Sequence, residues 1–112
     1  MTIKEKFINN LEASLEEMTE YDRVQISYSV RKQKDEISIH FYDDSDGDLS
    51  KSIQFRPKTL FTMQCENLDF DVKKSIEEYL ISSPVWKNAT PWWWNLLFPC
   101  LVKEIIVKKI KN

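Results

Sequence analysis

The chain has 112 residues, of which 42% are hydrophobic and 30% are charged, and its formal net charge is −2. These values match a single domain with one core, because the chain is too apolar and too balanced in charge to be disordered. We therefore expect one domain over residues 1–112. The only glycine is Gly47, which excludes the glycine-rich loops that cradle phosphates or dinucleotides.

The N-terminus and the two cysteines bear on the cellular compartment. The first ten residues, MTIKEKFINN, lack the apolar run of a secretory leader, so the sequence predicts a cytoplasmic protein. Thiols stay reduced in that compartment. We therefore expect Cys65 and Cys100 to be small buried hydrophobic residues and not a disulfide.

The first predicted element is an amphipathic helix. Thr2 and Glu5 match the capping box, in which each side chain satisfies a backbone amide of the first turn. Apolar residues then recur at helical spacing at positions 3, 7, 8, 11, 15 and 18. Glu12, Glu16 and Glu17 fall off this stripe, which predicts an acidic outer face.

Alternating hydrophobicity predicts the strands. Apolar and polar residues alternate in RVQISYSV (23–30) and EISIHFYD (36–43), which is typical of strands with one covered and one wetter face. The segments SIQF and LFTMQ continue the pattern less clearly, and we expect Arg56-Pro57 between them to mark a break or an edge. The connections RKQKD and DDSDGD are short, which predicts an antiparallel meander.

A second helix is predicted in LDFDVKKSIEEYLI (68–81), with Asn67 or Asp69 as its N-cap and a Lys73–Glu77 pair on its exposed side. Its buried stripe consists of Val72, Ile76, Tyr79 and Leu80.

The C-terminal region is predicted to be helical as well. Thr90-Pro91 matches a helix start, and apolar residues continue at helical spacing to Ile110, with a kink or division at Pro99.

The elements together predict an α+β fold. We expect a two-layer sandwich in which a three- to four-stranded antiparallel meander sheet has the N-terminal helix and the C-terminal helices packed on one face.

The segment PWWWNLLFPC (91–100) contains Trp92, Trp93 and Trp94 in succession. Successive residues of a helix lie about 100° apart, so three tryptophans cannot all face one narrow stripe. One interpretation is that one or two of them anchor the core while a further one stays partly exposed. A second is that an exposed tryptophan is a hot spot for a protein partner. A third, interfacial membrane contact, is weaker because a run of about a dozen apolar residues is too short to span a bilayer.

The turn DDSDGD places Asp43, Asp44, Asp46 and Asp48 close together. The spacing does not match a calcium-binding loop, because counting from Asp44 puts Leu49 where the loop needs glycine. Two interpretations stay open. The turn is either a solvated hairpin connection or an acidic docking surface for a basic protein, which such a patch attracts and orients.

Other kinds of site find less support. Basic residues occur in RKQK (31–34) and VKKIKN (107–112), but no aromatic stacking pattern accompanies them, so we expect no nucleic-acid partner. His40 is the only histidine and lies on the wetter phase of its strand, without the companion pattern of a general base. We therefore expect no catalytic activity, no cofactor and no bound metal.

The predicted build, together with DDSDGD, the acidic helix LEASLEE and PWWW, resembles the small immunity proteins that bacteria pair with contact-dependent growth-inhibition toxins. The resemblance lies in the overall build. It implies a cytosolic monomer that forms a 1:1 complex with a cognate toxin domain, commonly a nuclease, and occludes its basic active-site surface without chemistry. The partner-binding residues that we predict are Asp43, Asp44, Asp46, Asp48, Glu12, Glu16, Trp92 and Trp93. The alternatives are a regulatory or phage-type adaptor for another protein, a small enzyme and a peripheral membrane protein.

Overall fold

The computed structural model describes residues 1–31, 36–44, 55–65, 68–97 and 101–110. The elements in chain order are α1 (Ile3–Glu17), β1 (Arg23–Arg31), β2 (Glu36–Asp44), β3 (Phe55–Gln64), α2 (Val72–Ser82), β4 (Trp86–Asn88), a short 3₁₀ helix (Trp94–Leu97) and β5 (Val102–Lys109). The strands form one antiparallel sheet in the order β3-β2-β1-β5-β4. The α+β class is confirmed, but the described chain contains five strands where three or four were predicted.

Helix α1 forms as its sequence pattern indicates. The Thr2 hydroxyl oxygen accepts a hydrogen bond from the Glu5 amide at 3.1 Å, which satisfies one of the free donors of the first turn. Phe7, Leu11 and Leu15 are buried on one stripe. Burying each such side chain stabilises the fold by about 1.5–3 kcal/mol, so packing of this stripe holds the helix against the sheet.

The first three strands make the predicted antiparallel meander, with β1 in the middle of the sheet. Val24 and Ile26 of β1 point to the helix side and are buried in the core. Gln25 and Ser27 alternate with them and therefore lie on the opposite face. The period-two pattern of the sequence is thus confirmed as one apolar and one polar face, but the polar face is not the wetter one along β1, because Gln25 and Ser27 are buried as well.

Strand β3 is an edge strand that runs through Arg56-Pro57 without interruption. The predicted edge position is right, whereas a break between two strands is wrong. Proline is tolerated there because an edge strand has one side without ladder hydrogen bonds. The irregularity lies further along. Ile39 pairs with Phe61 and His40 with Thr59, which leaves one extra residue on β3 as a bulge.

Helix α2 begins at a different cap from the one predicted. The Asp71 carboxylate accepts a hydrogen bond from the Lys74 amide at 3.1 Å, so Asp71 is the N-cap and Asp69 is not. Asn67, the other predicted cap, lies outside the described residues. The predicted Lys73–Glu77 pair is present, with 3.8 Å between the ammonium nitrogen and a carboxylate oxygen. The predicted buried stripe is confirmed for Val72, Ile76 and Leu80, and Tyr79 is half-buried.

The predicted C-terminal helix is wrong. Residues 102–109 form β5, which inserts between β1 and β4. The segment is rich in β-branched residues, which favour strands because their side chains pack well on a pleated surface. Ile105 and Ile106 point to opposite faces of the sheet, and both are buried. A strand buries both residues at once, whereas the predicted helical stripe required them to share one side.

The core lies between the helices and one face of the sheet, as predicted. Phe7 of α1 joins three parts of the molecule, because its ring centroid lies 6.1 Å from that of Phe61 on β3 and 5.5 Å from that of Phe70 before α2. The tryptophan in the core is Trp86 of β4, which is 2% exposed. Cys65 is buried as predicted, and Cys100 lies outside the described residues.

The opposite face of the sheet, which we call the polar face, has hydroxyl, amide, imidazole and carboxyl groups. Its polar side chains include Gln25, Ser27, Ser38, His40, Tyr42, Thr62 and Glu104. The row through its centre runs from His40 on β2 across Ser27 on β1 to Glu104 on β5. His40 Nδ1 lies 2.6 Å from the Thr59 hydroxyl, in agreement with its predicted position on the wetter side of its strand.

The buried side chain of Gln25 on this face destabilises the fold. Its side chain is 0% exposed, and neither its amide nitrogen nor its amide oxygen has a hydrogen-bond partner among the described residues. Burying a polar group without a partner costs free energy that an apolar group of similar shape does not.

We therefore expect Gln25→Met to raise the free energy of unfolding by about 1 kcal/mol. Urea denaturation followed by circular dichroism measures this change. Gln64→Met, at an exposed glutamine on the same face, is the matched control and should change stability by less than about 0.5 kcal/mol. A loss of stability in Gln25→Met alone would contradict the idea that the Gln25 amide is unsatisfied.

Candidate partner-binding site

The three consecutive tryptophans lie in a segment, residues 89–97, that covers the outer edge of β5 beyond the end of β4. Its polar groups take the place of a neighbouring strand. The Ala89 amide donates to the Ile106 carbonyl at 2.7 Å, and the Ile106 amide donates to the Thr90 hydroxyl oxygen at 2.8 Å. The Glu104 amide donates to the Asn95 side-chain oxygen at 2.9 Å. The edge of β5 is therefore closed here to pairing with a further strand.

The tryptophans are distributed over two sides of the sheet edge. Trp92 lies on the helix side, where it lines a cavity of about 180 Å³ together with Lys73 and Glu77 of α2. Trp94 is half-buried towards the polar face, and its indole nitrogen donates a hydrogen bond to Glu104 Oε2 at 3.2 Å. None of the three fills the main core. The interpretation that one or two of them anchor that core is therefore corrected, because Trp86 takes this role.

Part of this segment is exposed apolar surface. Trp92 is 87% exposed, Trp93 is 42% exposed and Leu96 is 75% exposed. We call these three residues the tryptophan patch. Larger groups of exposed apolar side chains mark interaction sites, and tryptophan is enriched where a few residues supply most of the binding energy. The prediction that a tryptophan stays partly exposed is confirmed for Trp93, and Trp92 is exposed almost entirely.

The patch is held in place before any partner binds. The Trp94 amide donates to the Pro91 carbonyl and the Leu96 amide to the Trp93 carbonyl, each at 3.1 Å, so the backbone makes two successive tight turns. The rings of Trp93 and Trp94 pack against each other with centroids 5.6 Å apart. A pre-ordered segment loses little conformational entropy on binding, which favours affinity.

Glu12 and Glu16 are exposed on α1, as predicted for its acidic outer face. Both lie near Tyr79 of α2. Burial raises the pKa of the Tyr79 hydroxyl, and the charges of Glu12 and Glu16 raise it further. Glu78 of α2 also pairs with Lys4 of α1 at 3.8 Å. Since Trp92 lies beside Lys73 and Glu77, helix α2 stands between the two predicted groups of contact residues.

The acidic turn is only partly within the described chain. Asp43 and Asp44 form the last two positions of β2, where they pair with Arg56 and Phe55 of β3. Asp46 and Asp48 lie outside the described residues. The proposed role of this turn in binding therefore remains a prediction.

Charge is divided between the two layers. Across residues 1–20 and 68–82, which contain both helices, nine aspartates and glutamates stand against four lysines. The five strands contain eight lysines and arginines against four aspartates and glutamates. The helix layer is therefore acidic, and Trp92 lies at its border.

Glu104 is the residue of this region that sequence reasoning missed. It is half-buried on the polar face, and burial raises the pKa of its carboxyl group while the hydrogen bond from Trp94 partly opposes that rise. The sequence assigned it to a helix. The signal that indicates its position is the β-branched run around it, in which Val102, Glu104 and Ile106 share one face of a strand.

The raised pKa of Glu104 predicts a pH dependence. A carboxyl group whose folded pKa is raised contributes stability below its unfolded pKa, and this contribution is lost as the pH rises through the folded value. Glu104→Gln keeps an acceptor for Trp94 and removes the ionisation. We therefore expect the variant to become more stable relative to the parent as the pH rises through this window. Thermal melts of both chains at a series of pH values measure the difference, and a constant difference contradicts it.

Compared with protein-family models, curated proteins and solved structures, the chain matches none of them. Within the described ranges, no helix has the length and apolar character to cross a bilayer. In the same part of the chain, no three His, Cys, Asp or Glu side chains are grouped so that they could hold a metal ion.

Proposed function

We propose that this chain is a protein-binding inhibitor, and specifically an immunity protein that neutralises a cognate bacterial toxin by covering its basic active-site surface. The observation that carries the proposal is the exposure of Trp92 on a segment fixed by hydrogen bonds to β5. A large rigid aromatic side chain held in solvent has a strong driving force to enter a pocket on another protein.

The charge distribution favours a basic partner. Trp92 borders the helix layer, in which acidic side chains outnumber basic ones, so a protein that docks there meets a negative field. Such a field speeds encounter and orients the partner, and it repels acidic proteins. A toxic nuclease, which must attract a polyanionic substrate, presents the complementary charge. This supports the resemblance to immunity proteins.

The sheet edges favour docking through side chains. The edge of β5 is closed by Thr90 and Asn95, and β3 carries Pro57 and a bulge, two features that discourage strand addition. We therefore place the contact on the tryptophan patch and the adjoining acidic surface, and not on an added strand.

The test is capture of the partner from a lysate of the native host on the immobilised chain, with salt elution and mass spectrometry. We expect one stoichiometric protein that contains a basic toxin domain, whose activity falls to zero at an equimolar amount of this chain. No partner at low salt, or a partner whose activity is unaffected, would contradict the proposal. A bound protein without toxic activity would indicate the adaptor function instead.

Charge-reversal variants locate the contact. Glu12→Lys/Glu16→Lys and Asp44→Lys/Asp46→Lys should each weaken binding by about tenfold and reduce its dependence on salt. Asp22→Lys, at an exposed position before β1, is the control for a change of charge elsewhere. If either double variant binds as the parent does, its residues are not part of the contact.

A further inference from the structure

Glu104 is a half-buried carboxylate next to the tryptophan patch. One of its oxygens, Oε2, accepts the indole hydrogen bond of Trp94 at 3.2 Å, and its backbone amide is held by Asn95. Trp94 therefore holds the carboxylate itself, and Asn95 holds the backbone that carries it. A charge withdrawn from water is costly unless a cation or several donors compensate it, so its surroundings are informative.

Within the described residues, no lysine or arginine forms an ion pair with Glu104. Its neighbour across β1 is Ser27, and the next residue in that row is His40 of β2. Lys103 precedes it in sequence but points to the other face of the sheet, because side chains alternate along a strand. The sheet face of Glu104 also carries Arg23 and Lys108, four residues further along β1 and β5, and the ion pairs of the described residues do not join either of them to Glu104. Its carboxylate can therefore take a cation from another molecule.

Aromatic rings stand beside this carboxylate. Trp94 contacts it through the indole nitrogen, and Trp93 packs on Trp94 at a tilt of 53°, with nearly half of its own surface in solvent. The faces of tryptophan rings attract cations, and the attraction is larger where water is excluded. Trp94 turns its N–H edge to the carboxylate, so a cation bound to Glu104 has an indole face within reach beside that edge, on Trp94 or on Trp93 packed against it.

We propose that Glu104, Trp93 and Trp94 form a binding site for the guanidinium group of an arginine on the protein partner. This inference rests on the proposed function, since it names the group that a basic partner inserts beside the tryptophan patch. A guanidinium fits better than an ammonium ion because it is planar, stacks on indole rings and donates several hydrogen bonds in one plane. It reaches the second carboxylate oxygen, Oε1, while Trp94 keeps Oε2.

The test is a titration of the ¹⁵N-labelled chain with N-acetyl-arginine methylamide, followed through the indole N–H resonances. The Trp94 resonance is assigned from its disappearance in Trp94→Phe. The neutral control ligand is N-acetyl-citrulline methylamide, which keeps the shape of the side chain and loses the charge. We expect arginine to shift the Trp94 resonance with an affinity about tenfold higher than that of citrulline.

Variants of the chain connect this response to the site. Glu104→Gln keeps the acceptor for Trp94, so it should fold and should reduce the arginine affinity to the level of citrulline. Trp93→Ala should reduce it severalfold without change at Oε2. An equal response to arginine and citrulline, or an unchanged response in Glu104→Gln, overturns the site. An equal response to N-acetyl-lysine methylamide overturns the choice of guanidinium.

The outcomes separate this inference from the proposed function. If arginine binds in a Glu104-dependent way while capture yields no toxin, the cation site stands and the inhibitor function fails. If a toxin is captured and inhibited while the titration gives no preference for arginine, the function stands and the cation site is overturned. If a toxin is captured and arginine also binds in a Glu104-dependent way, Glu104→Gln should weaken binding of the captured toxin by about tenfold.

Discussion

Replacing Trp92 by alanine is expected to lower the affinity for the captured partner by about 30-fold or more, because a hot-spot residue contributes about 2 kcal/mol or more. The free energy of unfolding should change by less than about 0.5 kcal/mol, since the side chain is 87% exposed and contributes little to packing. Calorimetric titration of the partner and urea denaturation of the free chain measure the two quantities. A large effect on binding with none on stability separates contact from folding.

The control for this prediction is Trp92→Phe, which keeps an aromatic ring at the position. It should retain most of the affinity if the ring enters an apolar pocket, whereas alanine should not. Leu96→Ala, in the same tryptophan patch, should give a smaller loss because leucine is under-represented among hot spots. If Trp92→Ala binds as tightly as the parent, the tryptophan patch has to be removed from the proposed contact.

The second large effect is expected at Phe7, in the core. Phe7→Ala should lower the free energy of unfolding by about 3–5 kcal/mol, because the change removes a fully buried ring and leaves a cavity. Phe7 also holds α1 against Phe61 of β3 and Phe70 before α2, so the cavity opens where three segments meet. A domain of this size is stable by about 5–15 kcal/mol in total, so this single change removes a large part of the margin.

Phe7→Leu keeps most of the volume and should lose less than about half as much stability. Urea denaturation of both variants against the parent chain gives the comparison. If Phe7→Ala unfolds at the same urea concentration as the parent, α1 is not packed on the sheet as described. Because such a variant loses structure as a whole, any loss of partner binding in it would carry no information about the contact.

The sequence predicted the first two-thirds of the fold closely because each element there is defined by local signals. Thr2 and Glu5 define the start of α1, and strict alternation defines β1 and β2. The prediction failed after α2, where the strand β4 was not predicted and β5 was predicted as a helix. Residues 101–110 carry apolar positions that satisfy both a helical and an extended pattern, and the local sequence does not decide between the two. Pairing with β1 favours the extended conformation, because β1 would otherwise have one edge without a ladder of hydrogen bonds and β5 supplies that ladder.

The sequence also predicted only part of the candidate site. That at least one of the three tryptophans would be exposed followed from their spacing alone, since consecutive side chains cannot all face one direction. That Trp92 and Trp93 are the exposed ones followed only from the path of the chain around the edge of β5. Thr90 and Asn95 bind that strand, and Trp92 and Trp94 lie on opposite sides of it. Glu104 was not predicted, because its partner Trp94 is ten residues away and meets it only across a turn.

By itself, the sequence determined the α+β class, the two amphipathic helices with the cap of α1, the β1–β3 meander and the acidic outer face of α1. These features depend on periodicity and capping within about 15 neighbouring residues, and such local preferences act wherever the segment lies. Only the tertiary structure decided the fifth strand, the strand order, the placement of Trp86 in the core and the pairing of Trp94 with Glu104. Each of these depends on which surfaces far apart in sequence have to be covered, and burial of apolar area between distant segments settles that question where local preference is evenly balanced.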